Sequence, residues 1–392
     1  MTSQAIAIEP PRDDRLEQIG AAALIGVAGA LQFSIAVAQI LLTLAAVAWL
    51  AVVIVRHERF DVPRFFWPLA VYAALTLVSA TLSVDPRASI VDSKQLVLFL
   101  IVPIAYRFAG AARGSTLMTV VISCAAASAA VGLTQYGILH YDNLGQRPQG
   151  TLGHYMTYSG LLMLVIAVAL ARVLFATHDR LWAALVIPAL AVAVAVTFSR
   201  SAAVGVCAAA ALLFALRDLR LIAVLPIAAA IFFGLAPPQL AERMVRTFDF
   251  KDPTVRDRMA MVHVGERMIE KYPLTGVGPN MVQARYAEFR GPDAVNAVNP
   301  HLHNNPLQIA AERGLPALLA WIWFMAALTV DIGRRHAAGR HRFLTAAALA
   351  TIAALVTAGL FEYNFGDSEV LMLFLILVTL PAAADRSLKS EI

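Results

Sequence analysis

Residues 301–314 read HLHNNPLQIAAERG, and the chain continues through LPALLAWIWFMAALTV at 315–330 without a single charge. Within one short run, a polar segment turns into sequence that suits a bilayer, whose crossing needs about 20 mostly apolar residues. The rest of the chain has the same character. Of its 392 residues 59% are hydrophobic and only 15% charged, with a mean hydropathy of +0.70. That composition excludes an ordinary soluble domain. Charges and turn residues divide the apolar sequence into about twelve candidate spans, at 18–34, 37–55, 65–82, 94–110, 116–136, 155–177, 181–197, 201–216, 219–236, 306–331, 342–361 and 368–384. The expected fold class is an all-α polytopic integral membrane protein.

The start, MTSQAIAIEPPRDDRLEQ, is polar and carries both charge signs. It is unlike a cleavable signal peptide, so the first span is expected to stay in place. Cys124 and Cys207 fall inside apolar spans, which favours packing over disulfide or metal chemistry. Alternate connections collect Arg12 and Arg15; Arg56, Arg59 and Arg64; Arg107 and Arg113; Arg172 and Arg180; Arg217 and Arg220; Arg334, Arg335, Arg340 and Arg342; and finally Arg386 and Lys389. The opposite short connections hold only Arg87, Lys94, Arg147 and Arg200. The positive-inside bias therefore puts both termini in the cytoplasm. The connection at 237–305 is too long for that rule, lies on the other side, and is the only sizeable aqueous piece. The expected organisation is nine spans in 1–236, a periplasmic helical loop in 237–305, and three spans with a cytoplasmic tail in 306–392. A modest basic excess in the loop suits an anionic substrate. Nucleic acid is excluded, because the loop faces away from the cytoplasm.

Inside the loop, TVRDRMAMVHVGERMIEKYP repeats Met261, Val262, Gly265, Met268, Ile269 and Tyr272 at helical spacing. Arg256, His263, Glu266, Arg267 and Glu270 take the other side. Arg258 falls on the apolar side, an expensive place for a guanidinium. Ion pairing with Asp257 is its bland explanation. Gly276 and Gly278 in PLTGVGPN suit a tight turn with Asn280 capping the next helix, and lack the rest of a dinucleotide fingerprint.

In the opening stretch, Pro306 suits a first helical turn with Asn305 as cap. His303 and Asn304 then stand before a helix end whose free N–H groups and dipole suit an anion such as phosphate. Histidine at such a boundary is a candidate acid, base or ligand. Gly314 and Pro316 should break the helix after two turns, leaving a short tilted or re-entrant piece that carries Glu312 and Arg313, for which mutual pairing is the bland account. Two further polar pieces interrupt apolar sequence: Ser199–Arg200–Ser201, and RPQGTLGHYMTYSG at 147–160, whose Tyr155 and Tyr158 suit interfacial anchors.

The order of these pieces resembles the O-antigen ligase family, which is related to O-antigen polymerases. It comprises the SR turn at Ser199 and Arg200, Arg258 in the long loop, PLTGVGPN at 273–280 and HLHNNPLQIAAERG at 301–314. The first half matches in hydropathy only, and around Gly150 and Thr151 the family's GTxxNPN form is replaced by His154 and Met156. The resemblance implies a GT-C-like fold with the large loop between the ninth and tenth spans. It implies transfer of a finished glycan from undecaprenyl diphosphate to a sugar hydroxyl of lipid A-core, at the periplasmic face of a Gram-negative inner membrane. Donor, acceptor and membrane lipids are the implied partners.

The residues fit that chemistry independently. A sugar hydroxyl is a weak nucleophile that benefits from a base, for which His303 is best placed. A leaving diphosphate develops charge that Arg200 and Arg258 can hold through forked donors. His301, Asn304 and Arg147 are candidate supporting residues. No metal is expected, since Asp249 and Asp252 in FDFKD make no DxD motif, and no cofactor is needed for a donor already activated by diphosphate. Inversion at the anomeric carbon is the implied course. The rival readings are an O-antigen polymerase, another lipid-linked oligosaccharide transferase, and a multi-span transporter. Against transport, no inverted repeat is visible and the polar residues gather at one face instead of the midplane.

Overall fold

The computed structural model describes residues 14–235, 253–292 and 294–390. Arg12, Asp249 and Asp252 lie outside them. The described chain is helical, with no strand among the described residues. In order come α1 (Asp14–Ala30), α2 (Ile35–Val55), α3 (Phe66–Thr81) and α4 (Pro86–Asp92), the last continued by a 3-10 stretch, Ser93–Leu100, into α5 (Ile101–Phe108). There follow α6 (Ala111–Gly137), α7 (Tyr155–Phe175), α8 (Arg180–Val196) and α9 (Arg200–Arg217), then a 3-10 turn, Leu219–Ala223, and α10 (Val224–Leu235). The remainder is α11 (Pro253–Lys271), α12 (Val282–Phe289), α13 (Asn305–Ala337), α14 (Arg342–Ala358) and α15 (Ser368–Ser390).

The described residues of each apolar segment expected from sequence are largely helical, and among the described residues seven helical runs have the length and hydropathy of a membrane crossing. The chain is a polytopic membrane protein. Its apolar side chains point both ways, as a bilayer permits. Ile40 and Ile54 on α2 and Leu181 on α8 are largely exposed, while α7 and α15 are central. Of the apolar window of α15, 89% is buried, against 28% for α2. In water such exposed aliphatic surface would cost about 25 cal/mol per Å²; against lipid it costs nothing.

A second, smaller core lies beside the main one. Met261, Val264 and Met268 of α11 pack with Val277, Val282, Tyr286, Phe289, Leu302 and Ala311. The expected polar face of α11 is exposed, Arg256, His263, Glu266, Arg267 and Glu270 included. Arg258 sits half-buried at the edge of the apolar stripe, and the residue buried within it is Asp257.

This small core is fastened to the bundle at a break in α13. Gly314 is non-helical there, with φ 82° and ψ 167°. Pro316 has no N–H to give the carbonyl of Glu312, four residues back. The PLTGVGPN turn supplies what the helix lacks: the N–H of Val277 donates to the Ala311 carbonyl and that of Gly278 to the Glu312 carbonyl, each at 2.9 Å. The Leu315 N–H donates in turn to the Pro273 carbonyl at 2.8 Å, and Ser79 Oγ donates to the carbonyls of Thr275 and Glu312. Gly276 permits the approach: at φ 67°, a Cβ there would meet the Glu312 backbone at 2.2 Å. Beside the break, Glu312 and Arg313 form the expected mutual pair at 2.7 Å, fully inside the protein.

Three local expectations are corrected. Asn304, not Asn305, caps α13, its side chain accepting from the Leu307 N–H at 2.8 Å. The reason is tertiary, because Asn305 is drawn inward to bond Asn364. Asn280 does not cap α12: it adopts φ 60°, and Met281 holds the cap position. Tyr158 is no interfacial anchor but is buried, its hydroxyl donating to the Ser128 carbonyl at 3.1 Å.

Candidate active site

Near the small core and the first turns of α7, α9 and α11, a cavity of about 260 Å³ opens between segments far apart in sequence. Its lining includes Arg147, Tyr155, Ser199, Arg200, Asp257, Arg258, His303 and Glu362. Four of the six residues singled out from sequence, Arg147, Arg200, Arg258 and His303, thus meet in one space. Asn304 is instead the cap of α13, and His301 stands behind His303, the two rings 4.1 Å apart between centroids.

Each cation is positioned by its own local device. Arg200 is the first residue of α9, which Ser199 caps in extended conformation after Phe198 takes φ 56°. A residue of that bulk in the left-handed region is strained, and such strain gathers at functional sites. Arg258 reaches from α11 to donate through Nη1 to the Phe361 carbonyl at 2.6 Å. Pairing with Asp257 is not its explanation. Asp257 instead accepts from the backbone N–H and side-chain amide of Asn296, at 3.1 and 2.7 Å, and so ties the 294–300 loop to α11. Arg147 lies 4.2 Å over the ring of Tyr155, a cation–π contact. The N-terminal ends of α7 and α9 both reach the lining, through Tyr155 and Arg200, and add partial positive charge. Three arginines against Asp257 and Glu362 make the cavity a setting for an anion.

The histidine is held by a segment that sequence reading passed over, the link from α14 to α15. His303, at φ 49°, places Nδ1 3.0 Å from both oxygens of Glu362. The neighbours of Glu362 complete the grip. The Gly359 carbonyl accepts from the Asn305 N–H at 2.6 Å, the Leu360 carbonyl from Asn304 Nδ2 at 3.0 Å, and the Phe361 carbonyl from Arg258. Asn305 also bonds the Asn364 side chain and the Phe365 N–H. HLHNN is therefore laid along 359–365 residue by residue. Gly359 is required for that closeness, since a Cβ would stand 2.2 Å from Asn305 Nδ2.

Burial alone would raise the Glu362 pKa, but the hydrogen bond and charge of His303, with His301 behind, hold it below the usual carboxylate range. Glu362 is therefore ionised at neutral pH. His301 is pushed down to about 4, chiefly by burial and then by the neighbouring His303. It is neutral at pH 7, its Nδ1 buried without a hydrogen bond and 3.8 Å from Glu362. His301, His303 and Glu362 offer ligand atoms all within 4.8 Å of one another, a spacing that could also hold a metal ion.

Arginines, helix N termini and a carboxylate-held histidine thus share one cavity whose charge suits an anion. Residues 184–322 match the family model described as O-antigen ligase, so that part of the chain is similar to this family. The matched stretch contains Arg200, Arg258 and His303 but ends before Glu362. No curated protein matches the chain. The match supports an enzyme of lipid-linked glycan transfer, of ligase or polymerase type.

Proposed function

We propose that the protein is an O-antigen ligase, moving a finished polysaccharide from undecaprenyl diphosphate to a sugar hydroxyl of lipid A-core. In this reading twelve helices cross the inner membrane in a GT-C-like arrangement. The segment 237–305 is periplasmic, and the His303 cavity opens to that side. The observation that carries the reading is the convergence of Arg147, Arg200 and Arg258 with the His303–Glu362 pair in one cavity.

Glu362, accepting from Nδ1–H, leaves Nε2 of His303 with the lone pair a base needs. His303 takes the acceptor hydroxyl proton as that oxygen bonds the anomeric carbon. The bond from that carbon to the diphosphate oxygen breaks with inversion, and the charge left on the diphosphate falls to Arg200 and Arg258. Arg147 is placed to hold the donor beside them. The reaction needs no metal, because diphosphate is already a good leaving group once its charge is met. A second reading makes His301, His303 and Glu362 a metal site, favoured by their spacing.

The test is transfer by the purified full-length chain from a lipid-linked glycan to lipid A-core, in the presence and absence of a chelator. Ligation requires product only when lipid A-core is supplied, with full turnover under chelation. Donor that lengthens without acceptor would make the protein a polymerase. Turnover abolished by chelation and restored by added metal would establish the second reading, and chemically unchanged substrates would point to transport.

A further inference from the structure

A larger cavity, of about 600 Å³, lies at the other end of the bundle. Beyond its break at Gly314, α13 continues to Ala337, roughly 35 Å at the usual helical rise, and brings Arg334 and Arg335 to this second space. Four arginines line it, Arg334, Arg335, Arg340 and Arg386, with three aspartates, Asp61, Asp331 and Asp385. The carboxylates are already engaged. Asp331 pairs with Arg335 at 2.9 Å, Asp385 with Arg335 and, at 3.2 Å, with Arg340, and Asp61 with Arg386 at 3.3 Å. Asp385 is buried, so the wall is a fixed network and not a scatter of surface charges. Among the described residues, Arg334 is ion-paired with none of these aspartates, and the Arg340 side chain is 59% exposed. The space has one positive charge more than its aspartates neutralise.

Apolar surface adjoins this charge. Phe60 and Val330, next in sequence to the lining residues Asp61 and Asp331, are each about half exposed, and Tyr106, Ala338 and Ala382 give the lining itself an apolar part. The Arg386 guanidinium lies 5.6 Å over the ring of Tyr106, which also lines the cavity. A soluble anion has no use for an apolar flank, whereas a lipid has a phosphate for the arginines and acyl chains for the flank. We propose that this cavity binds the phosphodiester headgroup of an anionic lipid, held by Arg334 and Arg340, with the chains against the Phe60 and Val330 side.

The test is native mass spectrometry of the full-length chain equilibrated with equal amounts of phosphatidylglycerol and phosphatidylcholine. The parent should retain phosphatidylglycerol several-fold in preference. Arg334→Gln/Arg340→Gln should lose essentially all of that preference, given the contribution of each basic residue near a membrane surface. Arg334→Gln alone, which breaks no ion pair to the cavity's aspartates, should lose a few-fold and covers the case in which the double variant fails to fold. Arg256→Gln/Arg290→Gln, both exposed and outside this cavity's lining, should behave as the parent. Undiminished preference in Arg334→Gln, or an equal loss in the Arg256 and Arg290 control, overturns the site. Displacement of the lipid by millimolar inorganic phosphate would show a free-anion site and overturn the lipid assignment.

Discussion

His303 Nδ1 stands 3.0 Å from both carboxylate oxygens of Glu362, a residue 59 positions further along the chain. A single carboxylate thereby fixes the ring's orientation and its tautomer, and leaves the other ring nitrogen for chemistry. Glu362→Gln keeps an acceptor for Nδ1–H but removes the charge that stabilises the imidazolium formed on proton transfer. Turnover should fall about tenfold to a hundredfold, as for other partners that orient a functional histidine, and Glu362→Ala should cost more. Equal activity of Glu362→Gln and the parent at matched expression would remove Glu362 from the machinery.

His303→Ala should lower transfer by about 10²- to 10⁴-fold, the usual contribution of a positioned base, while donor binding persists. His303→Asn discriminates further. It can still hydrogen-bond but cannot take a proton, so near-normal ligation by that variant would reduce His303 to a structural role.

Arg258 and Arg256 differ by half a turn on α11 and have different surroundings, one bonded to the Phe361 carbonyl in the cavity and the other exposed. Arg258→Lys should lose most activity, about a hundredfold if a charge-assisted forked contact to diphosphate is lost. Arg256→Lys should be indistinguishable from the parent. Steady-state transfer with graded donor separates weaker binding from slower turnover, and equal tolerance of the two substitutions would argue against a diphosphate contact at Arg258.

Stability should fall on acidification below about pH 6.5, the ordinary histidine value. His301 has its folded pKa depressed to about 4. Its unfolded form therefore binds a proton first, and the stability it confers is full above 6.5 and is lost as the pH falls toward 4. Glu362, also depressed, acts in the same direction below the ordinary carboxylate range. A thermal midpoint measured from pH 7.5 to 4 should decline over this window in the parent and less steeply in His301→Gln. Parallel profiles would exclude His301 as the source.

Gly276→Ala should destabilise by more than about 2 kcal/mol, since a left-handed backbone and a contact with the Glu312 backbone are both penalised. Gly333→Ala on α13, where a Cβ meets nothing within 4 Å, should be neutral or stabilising by up to about 1 kcal/mol. Thermal unfolding in detergent compares them, and similar midpoints would mean that the 273–279 turn is not what holds the α13 break.

The sequence by itself determined the helical segments, the break at Gly314, the Glu312–Arg313 pair and the polar face of α11. Hydropathy, proline and glycine chemistry, and helical spacing act over a few residues and can be read in order. It also marked Arg200, Arg258 and His303 as members of one pattern. Only the tertiary structure decided which groups stand between them. Glu362 reads in the chain as one acid in FEYN, without motif or periodicity, and acquires its meaning from a contact across 59 residues. Asp257, adjacent to Arg258 and the natural partner on paper, turns instead to Asn296 because consecutive helical residues point about 100° apart. Asn304 displaced Asn305 as cap for the same kind of reason: Asn305 faces inward to Asn364, and burial of an amide demands a partner that local sequence does not name.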